Sequence, residues 1–143
     1  MPTRHEITSA VQRALATEAT RTASEQRASA IVAVYLFGSM ARGTAKSTSD
    51  IDLGLLYAEL PASDLLAQPF LLEGELGELL GRRVQCVILN NAPVDLVHRI
   101  LAERSLLLDL DPSMRISFEV RARNSYFDLV PFLDRYRRRE HAS

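Results

Sequence analysis

A single cysteine, Cys86, stands among 143 residues, so no internal disulfide is available to brace the fold. It lies in an apolar run and reads as a small buried hydrophobe rather than a nucleophile. Net charge is equally scant, −1 at pH 7, which gives no bulk attraction to nucleic acid or to an anionic bilayer. Direct nucleic-acid binding is therefore not expected. No apolar stretch approaches the roughly 18 residues that span a membrane, and Met1 is followed by the polar run Pro2-Thr3-Arg4-His5-Glu6 rather than a secretory core. A reducing, cytoplasmic setting without membrane attachment is the expectation. His5, His98 and His141 are scattered, no Cys/His spacing suits zinc, and His98 reads as a helix-flank residue. Internal repeats and low-complexity linkers are absent.

What remains is ordinary material for a globular core: 47% hydrophobic and 24% charged residues. The length suits one domain over 1–143, divided as an N-terminal helix (1–30), a central core (31–110) and a C-terminal helical segment (111–143). Thr3 and Glu6 have capping-box spacing, and Ile7, Val11 and Leu15 predict a helix over 4–28, with Arg13, Arg21 and Arg27 off its apolar stripe. Residues 31–37 form a short β-branched apolar run, which suits a strand covered on both faces. A second strand is expected over 51–57, then a loop at Pro61, Ser63 and Asp64. Leu72, Leu76, Leu79 and Leu80 predict a helix ending at Gly81, followed by a strand over 84–89. Pro93 opens a helix bearing Val94, Val97 and Leu101, and Leu106-Leu107-Leu108 predicts a short edge strand. Asp111-Pro112 opens a last helix with Ile116, Val120 and Phe127 on its apolar side, and Pro131 is expected to kink or restart it. The basic tail around Arg135, Arg137, Arg138 and Arg139 reads as a solvated helix end. The fold class is α/β (α+β), helices packed on a small mixed sheet.

Two local features carry chemistry. Gly38-Ser39, where a strand enters a short helical turn, presents backbone N–H groups and a hydroxyl suited to phosphate, with Arg42 one turn on as a fork of donors. Asp50 and Asp52 then share one face of a strand. Paired like charges call for compensation, and such a carboxylate pair suits Mg²⁺, or Mn²⁺ in its place, completed by substrate phosphate oxygens.

The run Gly38-Ser39-Met40-Ala41-Arg42-Gly43, followed by Ser49-Asp50-Ile51-Asp52-Leu53, resembles the signature of the DNA polymerase β-like nucleotidyltransferase superfamily. More narrowly it is similar to the minimal nucleotidyltransferases (MNT), antitoxin partners of HEPN-type toxins. A looser likeness covers 82–108, where Asn90-Asn91-Ala92-Pro93 resembles the family's strand-to-helix turn. The resemblance implies a polymerase β-like fold in which Asp50 and Asp52 are catalytic and hold the metal. Gly38, Ser39, Arg42 and Ser49 would bind the triphosphate of ATP. The implied reaction is transfer of AMP from ATP to a hydroxyl of a HEPN-type toxin. Homo- and hetero-oligomers both stay open.

One position departs from the pattern. The superfamily carries a third carboxylate on the next core strand, and alignment places Gln85 there. Gln85 shares a face with Val87 and Leu89, so core packing does not account for its polarity. Glutamine neither accepts a proton nor adds charge. Asp95, Glu73, Glu75 and Glu78 are the other carboxylates within range in sequence. The alternative reading is a catalytically weak or silent antitoxin of the same fold that neutralises its partner by binding alone. A third reading, a small-molecule adenylyltransferase of the aminoglycoside type, is disfavoured because the chain after residue 110 offers a single helical segment and no substrate domain.

Overall fold

Two largely apolar strands form the centre of the molecule. The computed structural model describes residues 1–22, 31–59, 68–103 and 105–142. Strand β1 (Ile31–Phe37) and strand β2 (Ile51–Tyr57) pair antiparallel, from Ile31 opposite Tyr57 to Phe37 opposite Asp52. Between these strands lies one short helix, α2 (Ser39–Arg42). Strand β3 (Val84–Ile88) joins β2 in parallel, and β4 (Ser105–Asp109) joins β1 antiparallel, giving the order β3-β2-β1-β4. The mixed sheet is the one expected.

Helices cover both faces, which is why β1 and, apart from Asp52, β2 can be largely apolar. On one face α1 (Arg4–Thr22) and α3 (Gln68–Leu80) bury Ile7, Val11, Leu72 and Leu76 against Val34, Leu36, Leu53 and Leu55. On the other, α4 (Val94–Glu103) sets Val97 and Ile100 against Tyr35, Phe37 and Leu56. Each such aliphatic side chain contributes about 1.5–3 kcal/mol by leaving water. Gly54 makes the close approach of α4 possible, since a Cβ there would come within 3.3–3.4 Å of Leu89 and Ile100. Beyond the end of β3 a single 3₁₀ turn, Leu89–Asn91, continues the ladder with a side chain. Asn90 accepts from the Tyr57 N–H at 2.9 Å and donates to the Tyr57 carbonyl at 2.8 Å.

The last helix, α5 (Pro112–Ala142), is fastened at its start. Leu110 N–H donates to the Val32 carbonyl, and Asp111 caps the Met114 N–H. Arg115 bridges Asp109 and Glu119, and Tyr35 donates its hydroxyl to Glu119 at 2.8 Å. The bond to Asp109, against partial burial, holds the Arg115 guanidinium above its ordinary range.

Several expectations change. Helix α1 is described to Thr22, and residues 23–28 lie outside the described residues, as does the loop at Pro61, Ser63 and Asp64. Leu79 is exposed rather than packed with Leu72 and Leu76. Helix α5 runs on through Pro131, which lies at an exposed position, so the helix does not restart there. Ile116, Val120 and Phe127 face outward, and Phe118 and Ala122 pack against α4 instead. Among the described residues no helix is long and apolar enough to cross a membrane.

Candidate active site

The register of the sheet builds the site. Phe37, Asp52 and Gln85 form one row across β1, β2 and β3. Alternation along β2 turns Asp52 to the α4 face, where α4 covers Gly54 and Leu56 but leaves Asp52 half-buried. The same alternation places Ile51 and Leu53 in the opposite core. Asp50 immediately precedes the strand, at a half-buried position.

The chain leaves β1 through Gly38, with φ 75° and ψ −157°, a region that essentially only glycine occupies. A Cβ on Gly38 would run into the Asp52 carboxylate, with Asp52 Cγ only 3.2 Å away. The turn is therefore laid directly against the Asp52 carboxylate. Arg42 N–H closes onto the Gly38 carbonyl at 3.1 Å, and Gly43, at φ 74°, ends the short helix. The first N–H groups of α2 have no acceptor within the helix.

Electrostatics single out Asp52. Burial, and then the neighbouring charge of Asp50, push its carboxyl above the ordinary value of 3.8, with Glu103 adding in the same direction and Arg42 partly offsetting them. A buried carboxylate under like-charge pressure favours a cation beside it. The donor set is all oxygen: two carboxylates and the amide of Gln85 in the same row. That set fits Mg²⁺, a hard ion commonly held by one or two carboxylates and completed by phosphate. Among the described residues no group of three His, Cys, Asp or Glu converges as a protein-only metal cage.

Other expected residues take different places. Ser49 Oγ accepts from the Lys46 N–H at 2.7 Å, which leaves its O–H as a donor, and Arg82 pins the same loop through the Lys46 and Ser49 carbonyls. Gln85 is exposed on the edge strand, which accounts for its polarity without any core role. Glu73 accepts from the Cys86 N–H at 2.8 Å, and α3, which also carries Glu75 and Glu78, lies against the face of the sheet away from Asp52. Asp95 sits in the first turn of α4, the end opposite Glu103. His98 stacks flat on Tyr126, ring centroids 3.5 Å apart, joining α4 to α5.

One residue had no signal in the sequence. Glu103, the last of α4, accepts from the Gly38 N–H at 3.1 Å and from Arg42 at 2.8 Å. Partial burial alone would raise its carboxyl, but these two bonds outweigh it and hold the group below the usual range. Nothing in the spacing of the motif reaches so far along the chain.

Comparison with known proteins supports the fold. The family model "Polymerase beta, Nucleotidyltransferase" matches residues 20–113. A solved toxin–antitoxin structure with AMP-PNP is similar at TM-score 0.61 and 23% identity, covering 79% of this chain and 87% of that one. The toxin–antitoxin MntA–HepT gives TM-score 0.56 at 20% identity, covering 82% and 88%. A Shewanella oneidensis structure, tri-AMPylated HEPN toxin in complex with MNT antitoxin, gives TM-score 0.56 at 20% identity, covering 83% and 88%. At these identities the likeness is one of fold. No curated protein matches the chain at a significant level. The family match runs over more than half the chain and takes in the Gly38 turn, both aspartates, Gln85 and Glu103, so the chain belongs to the polymerase β nucleotidyltransferase family.

Proposed function

We propose that this chain is a Mg²⁺-dependent nucleotidyltransferase that passes AMP from ATP to a hydroxyl of a partner protein, and that the partner is a HEPN-type toxin which it silences. The observation that carries the chemistry is the contact of the glycine turn with Asp52, which puts a phosphate-type cradle and a carboxylate pair side by side. The partner reading draws on the similar structures, among them an AMP-PNP-bound toxin–antitoxin and an AMPylated HEPN toxin with its MNT antitoxin.

Asp50 and Asp52 would hold the Mg²⁺, which when bound supplies positive charge against the triphosphate. The backbone N–H groups at the start of α2 and the Ser39 hydroxyl orient the outer phosphates, with Arg42 beside them. Held this way, the α-phosphorus is open to an acceptor oxygen in line with the leaving group. The new P–O bond forms as the bond to pyrophosphate breaks, and the acceptor proton passes to solvent. Gln85 offers an amide where a carboxylate would take that proton.

The test is the intact mass of the partner toxin after co-expression with wild-type chain or with Asp50→Asn/Asp52→Asn. Nucleotide-sized mass gains that vanish with the double variant are expected. An unmodified partner that co-purifies equally with both would reject the transfer reading. A companion change, Gln85→Asp, is expected to raise the initial rate of partner modification by about 10²-fold or more, the usual yield of a general base. An unchanged rate would mean that another group already completes the site.

A further inference from the structure

We propose that Glu103 is a positioning residue that holds the phosphate-binding turn in its working shape, an inference that rests on the nucleotide-binding reading above. The carboxylate bonds both ends of the turn at once: Oε2 accepts from the Gly38 N–H and Oε1 from Arg42 Nη1. These are the first residue of the turn, at positive φ, and the last residue of α2. One anchor thus sets the orientation of the peptide that lies on Asp52 and the direction of the guanidinium fork.

The anchor itself is firm. Glu103 ends a helix whose Val97 and Ile100 are buried against the sheet, and β4 begins two residues later, with Ser105 paired to Leu36 of β1. Its side chain is 19% exposed against 51% for Arg42, so the carboxylate is the fixed partner and the arginine the adjustable one. Charge-assisted bonds of this kind are the stronger class and carry geometric specificity. With one Nη engaged, the guanidinium is tethered beside the turn with its remaining donors still available, a fork that a lysine could not imitate. Glu103 acts through Gly38 and Arg42, not on the reacting atoms.

The experiment needs no partner protein. Titration calorimetry with Mg²⁺ and a non-hydrolysable ATP analogue would compare wild type, Glu103→Gln and Glu103→Ala, with Asn90→Ala as a control that removes two hydrogen bonds on the far side of α4's footprint. Glu103→Ala is expected to raise Kd by about 10–100-fold, the usual cost of losing a supporting residue. Glu103→Gln, which keeps an acceptor oxygen but not the charge, should fall between, and Asn90→Ala should leave Kd unchanged. Glu103→Ala in an Arg42→Ala background should weaken binding further, because the Gly38 bond is lost as well. Unchanged or tighter binding on removing Glu103 would overturn the proposal and make the carboxylate a competitor of phosphate. Equal weakening by Asn90→Ala would reduce it to general stability. A wild-type chain that binds no nucleotide would instead sink the nucleotidyltransferase reading itself.

Discussion

Gly38→Ala is expected to abolish binding of Mg²⁺-ATP and to lower the melting temperature together. Two costs coincide at this position. The backbone lies where side chains are rarely tolerated, at about 1–3 kcal/mol, and the added methyl meets the Asp52 carboxylate. Relief requires the turn and the carboxylate to separate, which dismantles the contact the site depends on. The expected melting shift is a fall of roughly 3–10 °C for a domain of this size, read by scanning fluorimetry with and without Mg²⁺-ATP. Gly43→Ala supplies the contrast. It too has positive φ, but a Cβ there meets nothing within 4 Å, so its cost of about 1–2 kcal/mol should appear in stability alone. Nucleotide binding by Gly38→Ala at wild-type affinity would defeat the geometric argument.

Asp52→Asn should make the protein more stable and all but inactive. A carboxylate holding the metal stabilises the transition state by several kcal/mol, so transfer should fall by about 10³-fold or more. Stability moves the other way because burial and Asp50 push the Asp52 carboxyl above 3.8 in the fold. Its folded-state value exceeds its unfolded one, so ionisation disfavours the native state, and native stability is lost as pH rises through that interval. Asparagine escapes this cost at neutral pH. The gap in melting temperature between variant and wild type should close as pH falls below 3.8, where the wild-type group is protonated in both states. Saturating Mg²⁺ should raise the wild-type melting temperature and leave the variant unmoved. A variant less stable than wild type at pH 7 without metal would mean that the carboxylate is stabilised in the fold rather than strained.

Much of this was legible in the sequence because it is local. Strand β1 begins and ends where its apolar run does, and β2 spans the expected residues 51–57. The Gly38 turn and Asp52 are close along the chain, so strand alternation and one hairpin-like pairing suffice to bring them together. Long-range partners were not legible. Glu103 reaches Gly38 only through the packing of α4 and the return of β4, neither of which leaves a mark near the motif. Helix α5 shows why pattern alone can pick the wrong side: Ile116 and Val120 share helical spacing just as Phe118 and Ala122 do. The sheet and α4 decide between them. Ser49 is a subtler case, since its place beside Asp50 did not reveal that its hydroxyl also accepts from the Lys46 N–H within its own loop.

Strand β2 carries the Asp52 carboxylate and two hydrophobic layers at once, with Ile51, Leu53 and Leu55 on one side and Asp52, Gly54 and Leu56 on the other. A slip of one residue would exchange the two sets. Asp52 would then enter the dry layer between the sheet and α1, where an unpaired charge costs several kcal/mol, and Gly54 would no longer make room for α4. Misaligned pairing is thus self-rejecting, and the residue needed for chemistry also serves as a proofreading mark while the sheet assembles.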